Sequence, residues 1–170
     1  MIDHLEDNYE STHFETNKNI VADIRIFFTG LVFIQPIGKA NVIRQGHDLT
    51  IVALSRMVHE AMKAADELAK TGLDVEVVDV RSIQPFDTET IISSVGKTHR
   101  ALVVHEAVRF GGFGAEIAAQ IQEYAFDDLD APVARVGAPF SPVPFSPALE
   151  KVWVPNSGSI VSAVNTMLGQ

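Results

Sequence analysis

His105 and Glu106 close one run of apolar and β-branched residues, ALVVHE, and Asp79 and Arg81 close another, VEVVDVR. If both runs are strands of an open parallel sheet, these side chains reach the same carboxyl edge, where ligands gather in such folds. An imidazole and two carboxylates beside a guanidinium have the makings of acid–base chemistry. The same four residues also read as a charge network in which Arg81 pairs with a carboxylate and locks two loops together. With no cysteine, no well-placed serine nucleophile and no metal-ligand cluster in the chain, the structural role is favoured.

A second candidate is Gly111-Gly112-Phe113-Gly114-Ala115-Glu116, which follows a strand and opens a helix, the place of a phosphate-cradling loop. The spacing is imperfect. Ile117 stands where the third glycine belongs, Glu116 sets a carboxylate beside the anion, and Asp130 precedes the next strand instead of ending it. The competing reading is a tight turn whose glycines let the chain pass closely, with Glu116 complementing the helix dipole. His59 falls beside an apolar helical stripe and reads as a packing residue, and His99 with His105 matches no zinc spacing.

These side chains need elements to position them, and from Pro36 onward β-branched runs alternate with helical periods, the pattern of α/β architecture. Five strands are predicted: Ala40 to Arg44, Leu49 to Leu54, Val75 to Val80, Ala101 to His105 and Val133 to Val136. The second and fourth are almost wholly apolar and should be central. Helices are predicted over Met57 to Lys70, Asp87 to Val95, Gly112 to Tyr124 and Ser157 to Leu168. In the first, Lys63 and Glu67 form an i,i+4 pair and Gly72 ends the helix; in the second, Asp87 is the N-cap and Gly96 the stop. Six of the eight prolines lie between Pro132 and Pro155, so that segment should run extended or as turns, wrapping the core. Its Phe140, Phe145 and Trp153 are either a lid or anchors for another subunit.

An apolar fraction of 46% with 21% charged residues describes a soluble globular chain, and its 170 residues fit a single core. The net charge of −9 and the lack of a basic cluster argue against a nucleic-acid partner, and no apolar run is long enough to span a membrane. The lead MIDHLEDNYESTHFETNKN has neither signal-peptide nor transit-peptide character. The apolar patch Ile20 to Ile34 reads as a strand, a short helix or an expression artefact, and it is a candidate cover for apolar surface near the first strand.

Taken in order, several motifs become specific: Asp79-Val80-Arg81-Ser82 with Pro85 and Asp87, Lys97-Thr98, His105-Glu106-Ala107, Gly111 to Ile117, Leu129 to Pro132, and Pro142-Val143-Pro144-Phe145. Over Pro36 to Leu168 the chain resembles the C-terminal domain of the β subunit of thiamine-diphosphate-dependent 2-oxo acid dehydrogenases, those for pyruvate, branched-chain 2-oxo acids or acetoin. The resemblance implies a three-layer αβα fold with a five-stranded, mostly parallel sheet whose first strand is antiparallel, like the transketolase C-terminal domain. It also implies an oxidoreductase in which thiamine diphosphate and Mg²⁺ lie between the α subunit and the β subunit's preceding pyrimidine domain, so that this chain alone binds no cofactor and is inactive. The implied partners are the α subunit, a second β subunit and the basic peripheral subunit-binding domain of the dihydrolipoyl acyltransferase core. Asp127, Asp128, Asp130 and Glu150 are candidates for the surface that meets that basic domain.

Residues 1–35 do not resemble the family, which divides the chain into that segment and a domain over 36–170. The expected role is assembly and docking, in a bacterial cytoplasm or, for a eukaryotic source, the mitochondrial matrix. A free-standing anion- or nucleotide-binding module, or a truncated product with no independent role, are the alternatives.

Overall fold

A computed structural model describes residues 36–169 and the backbone of one antiparallel pair, Phe27–Phe28 with Leu31–Val32. Apart from that pair, the patch Ile20 to Ile34 and the lead before it lie outside the described residues. The main sheet contains β1 (Asn41–Arg44), β2 (Leu49–Ala53), β3 (Val75–Asp79), β4 (Ala101–Val108) and β5 (Ala134–Ala138). Their spatial order is β1-β3-β2-β4-β5, with β1 antiparallel to β3 and the remaining pairs parallel. All five residues of β2 are buried, as the apolar run LTIVA requires when both sheet faces are covered.

Strand alternation divides those side chains between two cores. Ile51, Val77 and Val104 pack with Met57 and Leu68 of α1 (Met57–Ala69) and with Ile160 and Val164 of the C-terminal helix, Ser157–Leu168. On the opposite face Val52, Val78 and Val103 meet Ile91 and Val95 of α2 (Thr88–Thr98) and Ile117 and Ile121 of α3 (Phe113–Tyr124). The result is the three-layer αβα arrangement. Each fully buried aliphatic side chain contributes roughly 1.5–3 kcal/mol, so the two cores hold the layers together.

Asp87 caps α2 by accepting from the Thr90 amide at 3.4 Å and the Thr90 hydroxyl at 2.7 Å. The helix does not stop at Gly96. It continues to Thr98 and ends at His99, which adopts the left-handed conformation at φ 60° while its Nδ1 meets the Asp128 carbonyl at 2.7 Å. A tertiary bond thus holds a non-glycine residue where glycine is expected. In α1, Lys63 pairs with Glu60 at 2.7 Å rather than with Glu67, because Glu60 is itself anchored by the Ser157 amide at 3.0 Å.

The proline-rich segment is bends and extended chain only as far as Ser146. Pro147–Trp153 then forms α4, with Pro147 in the first turn, where its missing N–H costs nothing. The helix Ser157–Leu168 is accordingly α5, opened by a capping box between Asn156 and Ser159. β4 also outruns its predicted end at His105, continuing to Val108 past a register shift against β5.

Candidate functional site

Parallel strands β3, β4 and β5 deliver Asp79, His105 and Ala138 toward the carboxyl edge, yet the four charged candidates do not meet as one group. Arg81 turns back on Asp79: its amide donates to Oδ1 at 3.1 Å and its Nε lies 3.6 Å from Oδ2. This hairpin of charge is possible because Arg81 adopts φ 59°, a conformation that folds the chain onto the strand just left. Glu106 is half-buried and makes no hydrogen bond or ion pair among the described residues.

His105 is 3% exposed, and neither ring nitrogen has a hydrogen-bond partner among the described residues. Its surroundings explain the glycine-rich loop. A Cβ on Gly114 would come within 2.2 Å of His105 Cδ2, one on Gly112 within 2.6 Å of Cε1, and one on Gly137 of β5 within 3.1 Å of Cε1. The space under the start of α3 is filled by imidazole, which leaves no cradle for a phosphate. The close-passing turn is the reading the geometry supports, and Glu116 sits in the first helical turn, accepting from Gln120 at 3.0 Å. Burial lowers the His105 pKa below its ordinary value of 6.5, and the charge of Arg135 on β5 lowers it further. A neutral imidazole with no carboxylate in reach is poorly placed for general acid–base work.

Glu76 is a buried polar centre that the sequence reading missed. It is fully buried on β3, where its Oε2 takes the Lys97 ammonium of α2 and lies 3.4 Å from the Gly46 amide, while Oε1 is unpartnered. Lys97 also reaches Gln45 at 3.0 Å, and Thr50, directly beside Glu76 in the sheet register, bonds Thr98 at 2.7 Å. The signal was Glu76 within the apolar run VEVV, but only the strand order shows that both faces there are covered.

The acidic candidates separate. Asp127 and Asp128 are exposed in a short 3₁₀ turn, Phe126–Asp128, after α3. Asp130 is engaged by Arg100 at 3.4 Å. Glu150 lies on α4 in a cleft with Arg56 and Glu60 of the opposite helical layer, so it does not share a surface with the aspartates. His59 is exposed rather than packed.

At the carboxyl edge, Phe110 after β4 and Phe140 after β5 meet edge to face, with ring centroids 5.1 Å apart, although both rings are largely exposed. Phe145 is 103% exposed, and Leu149 and Val152 of α4 are exposed beyond it. Trp153 pins this segment by donating to the Ser141 hydroxyl at 2.9 Å.

A family model described as "Transketolase, C-terminal domain" matches residues 38–160. The chain belongs to the transketolase C-terminal domain family. This transketolase C-terminal domain is 48% identical over 132 residues to the pyruvate dehydrogenase E1 component subunit beta of Staphylococcus epidermidis and to that of Bacillus subtilis. The aligned region covers 78% of this chain and 40% of each relative, so the chain spans well under half the length of the curated proteins it matches. Among solved structures, a split-gene transketolase described as an inactive beta4 tetramer superposes with a TM-score of 0.66 at 28% identity, over 85% of this chain and 45% of that one. Similarity therefore concentrates on the C-terminal domain of a dehydrogenase β subunit.

The described residues do not fit as hosts for a diphosphate and its Mg²⁺. Among them no group of three His, Cys, Asp or Glu could hold a metal, and the glycine loop is taken up by His105.

Proposed function

We propose that this chain is the assembly and partner-docking domain of the β subunit of a 2-oxo acid dehydrogenase, the oxidative decarboxylation of pyruvate being carried out by the complete enzyme with thiamine diphosphate and Mg²⁺. The observation that carries the proposal is the exposed Phe110–Phe140 pair at the carboxyl edge, followed along the chain by exposed Phe145, Leu149 and Val152. Large apolar side chains left exposed together mark interaction surfaces, and aromatic side chains dominate the buried anchors of protein interfaces. Pyruvate is preferred over branched-chain or acetoin substrates because the curated relatives matched are pyruvate dehydrogenase subunits.

The partners that fit are the α subunit and a second β subunit at the apolar ridge. The basic subunit-binding domain of the acyltransferase core fits Asp127 and Asp128 instead. Bacterial relatives favour a cytoplasmic setting. The decisive experiment combines size-exclusion chromatography of the chain with a separately purified α subunit and a decarboxylation assay of the chain alone with pyruvate, thiamine diphosphate and Mg²⁺. Co-elution with no turnover is expected. Turnover by the chain alone, or failure to co-elute, overturns the proposal.

A further inference from the structure

Buried histidines that stay neutral normally satisfy at least their one N–H, yet His105 satisfies neither nitrogen. Its ring is held by shape alone, between Gly112 and Gly114 at the start of α3 and Gly137 on β5. The turn that closes over it, Arg109 to Gly112, is attached to β5 through the Arg109 amide on the Ala138 carbonyl at 2.8 Å and through Arg135 Nη1 on the Arg109 carbonyl at 3.3 Å. That turn carries Phe110, which faces Phe140 across 5.1 Å. The residue after Phe140, Ser141, holds the indole of Trp153. One continuous series of contacts therefore runs from the buried imidazole to the exposed aromatic ridge.

We propose that His105 is a proton-operated latch, whose protonation releases the turn between β4 and α3 and with it the Phe110–Phe140 ridge, so that this face is formed at neutral pH and loosened in acid. The inference rests on the docking role proposed above for that ridge and adds its regulation.

An imidazolium carries two N–H donors and a full charge, and in the closed site neither nitrogen is bonded to an acceptor or a carboxylate among the described residues. The charged groups on the surrounding elements are Arg135 on β5, Arg109 in the turn, Glu116 on α3 and Glu106 next along β4. Arg135 disfavours a positive charge on the ring. Glu116 is exposed and accepts from Gln120 through Oε1, and no hydrogen bond joins Glu116 or Glu106 to the ring. Gly112, Gly114 and Gly137 leave no space for even a methyl group beside the ring, so it has little room to shift toward a partner. Opening the turn to water is the remaining way to solvate the charge. The linkage has one sign: with the folded pKa below 6.5, the unfolded chain binds the proton first, so this group's stabilisation is complete above 6.5 and declines as pH falls toward the folded value.

Trp153 is the only tryptophan and reports on the ridge directly. The full chain, alone in solution, is titrated from about pH 8 to about pH 5 while Trp153 emission, far-ultraviolet circular dichroism and the imidazole ¹⁵N resonances of His105 are followed. Expected is a His105 titration below 6.5 that coincides with a Trp153 emission step, while the circular dichroism holds constant; His105→Gln removes that step and leaves the other histidines' titrations in place. Three results overturn the latch: emission that stays flat while His105 titrates, a step that survives in His105→Gln, or an ordinary His105 titration at 6.5. The ¹⁵N measurement on the unmutated chain keeps the test decisive should His105→Gln fail to fold. Because no partner is present, these outcomes are independent of the co-elution experiment, which tests docking at neutral pH.

Discussion

Gly114 lies so close to His105 that a methyl group added to it would sit 2.2 Å from the ring's Cδ2. A contact that short forces the imidazole or the first turn of α3 to move. Gly114→Ala should therefore destabilise the domain by about 1–3 kcal/mol through overpacking. Gly111, in the same loop, has open space around it and a φ of 69°, so Gly111→Ala should cost only about 1 kcal/mol of backbone strain. Urea denaturation of both variants checks the ranking, and equal losses would show that conformation rather than His105 selects the glycines.

Removing Lys97 leaves Glu76 buried with no cation. Lys97→Met should cost about 3 kcal/mol, the scale for stranding one half of a buried ion pair. The double variant Glu76→Leu with Lys97→Met should recover much of that loss, because the unpaired charge disappears with its partner. A double-mutant cycle from urea midpoints measures the coupling, and additive losses would count against a paired role.

Asp87 should govern part of the acid limb of stability. Burial raises its pKa, but donors from Thr90 and the Ala40 amide, helped by Lys39, hold the net value below the ordinary 3.8. The folded value being the lower one, the stabilisation is present above 3.8 and lost as pH falls through the folded pKa. Asp87→Ala should cost about 1–2 kcal/mol at neutral pH and show a shallower loss in acid. Urea midpoints near neutrality and in acid give both numbers, and parallel acid limbs would refute the assignment.

Phe145→Ser and Val152→Ser should abolish co-elution with the α subunit while changing stability by no more than about 0.5 kcal/mol, since both side chains are solvent-exposed in the free domain. Thermal melts alongside chromatography separate the two effects. Retained co-elution would move the docking surface elsewhere.

For the basic acyltransferase domain, Asp127→Asn with Asp128→Asn should weaken binding and reduce its salt dependence. Glu150→Gln, on the opposite helical layer, should leave it unchanged, and Asp130→Asn should act weakly because Arg100 already engages that carboxylate. Calorimetry at two salt concentrations tests the order of effects.

The elements themselves were legible because their signals are local. LTIVAL and ALVVH are apolar on both faces, Asp87 precedes a helical period, and the glycines of RFGGFGAE mark a tight turn. The errors were equally specific. Gly96 predicts a stop, yet α2 runs to Thr98; Lys63 pairs with Glu60 rather than Glu67; and prolines flank α4, which the sequence alone reads as extended chain. The first two depend on a distant partner: the Asp128 carbonyl for His99 and the Ser157 amide for Glu60.

By itself the sequence determined the alternation of strands and helices, the tight turn before α3 and the resemblance to a dehydrogenase β subunit, since periodicity and motif order are properties of neighbouring residues. Only the tertiary structure decided what the four charged candidates do: it kept Asp79 with Arg81, left Glu106 apart and closed three glycines over His105. The physical reason is that burial and contact depend on strand order, and β4 meets β5 beside it in the sheet although α3 separates them in the chain.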